Sequence, residues 1–242
     1  MRGIFFTEMD EAPVGAYRTL GHDVRGDVVA RLVGPREFPL WLVRAELPPG
    51  AVVAWGGRGD EAVYVVDGEV EVDGRSCPAG GAVVVEAGMA AEVQAPLGAS
   101  VVHLGRHDVQ ATAGQTIHVV GPGGTWAQVG DGRDTRYFAD SECETCDLTL
   151  FFTGRDHDYV SAPHSHSADE LIHVLHGEVV VGRRRLGPGS TIAIHADRRY
   201  GFRSPGFGFL NYRPTVATLT RAGETIEEGG RVHGFEPVMD LR

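Results

Sequence analysis

Two stretches decide the architecture: EAVYVVDGEVEVDGRSCPAGGAVVV, residues 61–85, and ELIHVLHGEVVVGRRRLGPGSTIAI, residues 170–194. They superpose without a gap. Glu61 falls on Glu170, Gly68 on Gly177, Val70 on Val179 and Gly80 on Gly189, a constant shift of 109 positions. A shift that holds through several runs and turns marks two copies of one structural unit. Within each copy the runs are short and rich in Val and Ile, and glycines punctuate them, which is strand length and strand composition rather than a 3.6-residue helical period.

The rest of the chain agrees with this reading. Of 242 residues, 34 are Gly and 13 are Pro, so breakers recur too often for long helices. Only DVVARLVG, residues 27–34, has a pattern that passes for a turn or two of helix. The expectation is an all-β protein of two barrels, with an N-terminal unit over residues 1–112 and a C-terminal unit over 113–242. The boundary falls in the Gly-rich segment between Gly105 and Asp134, where QTIHVVGPGGTW is read as the first strand of the second unit.

Composition removes several function classes. All 22 basic residues are Arg, so chemistry that needs a lysine amine, including a pyridoxal Schiff base or a Walker-type ATP site, is excluded. A net charge of −11 argues against nucleic acid or an anionic membrane as partner. No apolar run approaches the roughly 20 residues of a membrane span. Glu8, Asp10 and Glu11 interrupt the N-terminus where a signal peptide is apolar, and three cysteines are too few for a disulfide framework, so a cytoplasmic protein is expected. Unpaired strand edges predict a homodimer or a packed pair of units.

Six of the eleven histidines (His157, His164, His166, His173, His176 and His195) lie within 39 residues of the second copy. His164 and His166 are two apart, so on a strand both leave the same face, and Glu170 opens the next strand. Two imidazoles and a carboxylate suit one divalent transition metal, Fe, Mn, Ni, Cu or Zn, with positions left open for a substrate. His173 has the opposite parity and is read as a satisfied structural histidine. His176 is read as part of a hairpin turn, and His157 as part of a solvated loop whose neighbours Arg155, Asp156, Asp158 and Tyr159 form a polar rim.

At these residues the chain resembles the cupin family. HSHSADELIHVLHG carries His, one residue, His, three residues, Glu, six residues, Gly, the core of the first cupin signature, although Asp158 stands where that signature has a glycine. In GSTIAIHADRRY, Gly189, His195, Asp197 and Tyr200 take the four places of the second signature, whose last place is normally a histidine ligand. The resemblance implies two tandem cupin barrels of double-stranded β-helix, or jelly-roll, type, with His164, His166 and Glu170 as metal ligands. At the fourth place three readings stand open. Tyr200 ligates as a phenolate, Tyr200 is a hydrogen-bonding or acid–base group beside a three-ligand site, or His195 supplies the nitrogen or the acid–base function.

In the first copy the corresponding places hold Trp55, Gly57, Glu61 and Ala91, so only the glutamate survives and metal is expected in the second unit alone. Arg198, Asn211 and Arg213 are candidates for binding a substrate carboxylate. Cys143 and Cys146 form a lone CxxC, read as structural or incidental, with a regulatory disulfide and a metal pair as alternatives. By the resemblance, the expected activity is a metal-dependent dioxygenase acting on a small carboxylate, phenolic or enolic compound. A redox-silent isomerase or hydrolase, or a non-catalytic small-molecule binder, is the alternative.

Overall fold

A computed structural model describes residues 3–57, 59–108, 114, 116–215, 217–222 and 224–228. The chain divides into two compact units, one of residues Met9–Thr125 and one joining Met1–Glu8 to Trp126–Arg242. Each is a curled, wholly antiparallel sheet, of ten strands in the first and eleven in the second among the described residues. No helix among them is long and apolar enough to cross a membrane.

The two quoted stretches build the same substructure. The twelve-residue strand Glu61–Val72 pairs along one edge with Ala99–Arg106 and, near its start, with Ala82–Val85. Its counterpart Glu170–Val181 pairs with Tyr200–Arg213 and Thr191–Ile194. Gly68 and Gly177 sit at the same bend of these strands with φ of 76° and 72°, where a side chain is strained. A Cβ at Gly68 would strike the Gly98 carbonyl, and one at Gly177 the Gly206 carbonyl.

Several expectations change. DVVARLVG is not helical: Val29–Leu32 is a strand paired with residues 43–46, and Ala30 and Leu32 are buried while Val29 is half exposed, the period-2 pattern of a sheet face. The α-helix among the described residues is Ala16–Leu20, bounded by Gly15 and Gly21 in left-handed conformations. The boundary expected at 112/113 lies outside the described residues. The strand Ile117–Val120 pairs with Ala82–Val85 and so belongs to the first unit, which moves the division to Thr125/Trp126. The first residues work the other way, since Ile4–Thr7 pairs with Thr191–Ile194 in the second unit. His176 lies inside the strand Glu170–Val181, at a register shift beside Val174, rather than in a hairpin turn.

The units differ in what fills them. The core of Met9–Thr125 is mostly Val and Ala around Tyr17, Trp41 and Trp55. That of the second unit is aromatic on one side, with Phe207 and Phe209 stacked 4.8 Å apart and Phe202 packed edge-on against both. Cys143 and Cys146 are joined by a disulfide.

Candidate functional site

The strands Thr149–Arg155, Tyr159–His166, Glu170–Val181 and Tyr200–Arg213 enclose a cavity of about 90 Å³ in the second unit. Strand alternation aims Phe151, Thr153 and Arg155 into it from one strand and Phe209, Asn211 and Arg213 from another. His164 and His166 leave the same face of their strand, as their spacing predicts, after a register break between Ser161 and His164.

Glu170 is the electrostatic centre. Its carboxylate is 1% exposed and accepts hydrogen bonds from the Tyr200 hydroxyl on Oε2 at 2.6 Å, from Asn211 Nδ2 on Oε1 at 2.5 Å and from Arg213 Nη1 on Oε1 at 3.1 Å. Burial by itself would raise its pKa. His166 and Arg213, with the hydrogen bonds from Asn211 and Tyr200, outweigh that and hold it at about 2, so the group is an anion at neutral pH.

The histidines are arranged around this anion. His166 Nε2 lies 3.8 Å from Glu170 Oε1 and 3.5 Å from the Tyr200 hydroxyl. His164 Nδ1 is 2.8 Å from the Ala162 carbonyl. That contact requires the proton on Nδ1 and leaves the lone pair on Nε2, the tautomer in which a histidine ligates through Nε2. Tyr200 stands among them, with its ring 4.5 Å from that of His164 and its hydroxyl on Glu170. His164, His166 and Glu170 accordingly do not form a set whose donor atoms all lie within 4.8 Å of one another. Their chemistry, two imidazoles and a carboxylate, fits a divalent transition metal with open positions.

The substrate-binding candidates separate into two groups. Asn211 and Arg213 line the cavity, and Arg213 also lies over the Phe151 ring at 5.6 Å. Arg198 does not: it is exposed and packs beside Gly3 at the N-terminal strand. His195 is likewise outside the cavity, where its Nδ1 meets Asp169 Oδ1 at 2.8 Å and its ring meets Phe5 edge-on. Between His195 and Tyr200 the chain turns at Asp197, φ 60°, whose N–H donates to the His166 carbonyl at 2.7 Å. The structure does not bring His195 to the cavity lined by His164, His166 and Glu170. His173 is buried and bonded to Thr191 Oγ1 at 2.9 Å, a satisfied structural residue.

Arg155, like Tyr159, lines the cavity although the sequence placed it only on an outer rim. It is 8% exposed and lies 5.2 Å from the Tyr159 ring centre, and burial, opposed by Tyr159, lowers its pKa. Its position at the end of a strand was the available signal, because it has the same parity as Phe151 and Thr153.

No family model and no curated protein matches the chain. Solved structures do. A putative glyoxylate-induced protein from Pseudomonas aeruginosa is 13% identical with a TM-score of 0.67 over 88% of each chain. Protein YlbA of E. coli is 13% identical with a TM-score of 0.66 over 88% of this chain and 92% of its own. The formate complex of Lactobacillus farciminis oxalate decarboxylase is 13% identical with a TM-score of 0.65 over 92% of this chain and 89% of its own. Likeness at this level of identity establishes architecture alone, and the architecture is the cupin fold.

Proposed function

We propose that the second unit is a metal-dependent enzyme centre for a small organic acid, and that the chain is a bicupin of two tandem barrels whose first barrel serves as scaffold. The observation that carries the enzyme reading is the meeting of His164, His166 and Glu170 with Arg155 and Arg213 on one cavity of about 90 Å³. Donors for a divalent ion and guanidinium groups for a carboxylate then face the same small volume. The fold relatives that act on or respond to two-carbon acids, oxalate decarboxylase and the glyoxylate-induced protein, support an acid of that size. A Bacillus subtilis oxalate decarboxylase described for its Mn(II) centres supports a metal of that class.

His164, His166 and Glu170 would hold the ion. When bound, it supplies Lewis-acid polarisation of substrate oxygens and open positions for dioxygen. The protein's part follows from the geometry. Arg155 and Arg213 orient the substrate carboxylate, while the Phe151, Phe202, Phe207 and Phe209 rings exclude water and so strengthen each electrostatic contact. Tyr200 holds a proton on its hydroxyl at the Glu170 carboxylate and is the positioned donor to the substrate.

Within this reading the reaction is a dioxygenation, the outcome implied by the resemblance. The hydrogen-bonded Tyr200–Glu170 pair favours a second, redox-silent reading as lyase, isomerase or hydrolase, because a carried proton serves acid–base chemistry directly. Metal analysis of purified protein, followed by oxygen uptake and anaerobic turnover with a panel of small carboxylic, phenolic and enolic acids, tests both. Oxygen consumed in proportion to product supports the oxygenase. Equal anaerobic turnover replaces it with the redox-silent reading, and no turnover of any acid by metal-loaded protein overturns the enzyme reading. A cytoplasmic homodimer remains part of the proposal, with sedimentation as its test.

A further inference from the structure

The first unit holds a buried group of its own. His22, two residues beyond the helix Ala16–Leu20, meets Glu61 and His103, and the donor atoms of the three lie within 4.8 Å of one another. His22 Nε2 is 2.9 Å from Glu61 Oε2. His103 Nε2 is also 2.9 Å from that oxygen but off the line of a hydrogen bond. All three side chains are buried, His103 completely.

Comparison with the second unit exposes a missing cation. In that unit, Asn211 pairs with Ile172 across the sheet, and in the first unit His103 pairs with Val63, the repeat partner of Ile172. His103 therefore occupies the place of Asn211, and Gly105 the place of Arg213. Glu170 has the Arg213 guanidinium beside it, whereas the ion-pair partners of Glu61 among the described residues are the two histidines. A buried carboxylate with no permanently charged partner depends on a protonated histidine or a bound ion for compensation.

Polar atoms are left over as well. His22 Nδ1, both ring nitrogens of His103 and Trp55 Nε1 are fully buried without a hydrogen-bond partner. The Trp55 ring lies 4.6 Å from His103 and 5.7 Å from His22, and Tyr17 and Trp41 pack against both histidines, so bulk water does not reach these atoms. One dication answers the charge deficit and part of the polar one, since each imidazole binds it through one nitrogen and the other nitrogen of each ring gains no partner. It balances Glu61 and takes a lone pair from each imidazole, and a water on its fourth position would accept the Trp55 N–H. Donor separations in a tetrahedral zinc site are about 3.3 Å, so the observed 2.9 Å contacts need only small adjustments.

We propose that His22, Glu61 and His103 form a second metal site, closed to substrate, that takes a divalent ion of the zinc class with nitrogen and oxygen donors. It ties the segment carrying His22 to the sheet of the first unit, a structural role consistent with its enclosure. The site does not depend on the function proposed for the other unit.

The test uses the full chain carrying His166→Ala, which removes a donor from the other set, produced in zinc- or cobalt-supplemented medium and dialysed. The expected result is about one equivalent of metal, a cobalt spectrum with nitrogen and oxygen ligands and no thiolate charge transfer, and a thermal midpoint that falls on the order of 5 °C on chelation. Adding His103→Asn, which installs the second unit's own residue, or His22→Gln if that chain does not fold, should lower metal affinity at least 10-fold. Folded His166→Ala protein that holds no metal, or metal that persists undiminished in the folded double variant, overturns the proposal.

Discussion

The Tyr200 hydroxyl donates to Glu170 Oε2 at 2.6 Å, across thirty residues of chain, and the same ring packs 4.5 Å from His164. On this contact we propose Tyr200 as a hydrogen-bonding residue rather than a phenolate ligand. Tyr200→Phe should retain the metal of the second unit and lower turnover roughly 100-fold, the scale of a lost general acid. Metal content by elemental analysis beside kcat on the first identified substrate checks this, and loss of the metal would make Tyr200 a ligand after all.

Arg213 and Glu170 form a buried ion pair, with side chains 8% and 1% exposed. Removing the cation alone leaves an uncompensated carboxylate, so Arg213→Met should cost about 3 kcal/mol in urea unfolding. Combining it with Glu170→Gln should recover much of that loss. A single variant as stable as the parent would show that the pair contributes nothing to folding.

Gly177→Ala and Gly187→Ala should behave differently. The first places a side chain at φ 72° against the Gly206 carbonyl, while the second meets nothing within 4 Å. A loss of about 2 kcal/mol or more is expected for Gly177→Ala and less than about 0.5 kcal/mol for Gly187→Ala. Thermal denaturation of the two proteins side by side is sufficient.

Burial, with Glu69 nearby, pushes the Cys77 thiol up to about 11. Below that pH it stays protonated in the folded state, and the thiolate that alkylating agents need is absent. With Cys143 and Cys146 joined, native protein at pH 8 should take up almost no iodoacetamide, and unfolded protein about one equivalent per chain. Rapid labelling of Cys77 in the native state would contradict its burial.

The all-β class, the repeat and the candidate donors His164, His166 and Glu170 were legible in the string of residues. Each of these is written in local spacing, since alternation sets which face a side chain leaves and the shift of 109 positions is a property of the string. Tertiary structure decided whatever depends on which strands meet. The strand Ile117–Val120 has the composition of an opening strand, yet its partner is Ala82–Val85, and only pairing assigns it to the first unit. His195 occupies a signature position but meets Asp169 outside the cavity, while Arg155, from a different strand, lines it. His22 and His103 were hidden for a related reason. The two copies differ by one residue before the strand Ala99–Arg106, so the constant shift sets His103 beside Tyr212 instead of Asn211, and His22 lies outside the repeat altogether. Spacing along a chain encodes direction within one element, whereas convergence on the Glu61 carboxylate of histidines 39 and 42 positions away from it is created by the tertiary fold.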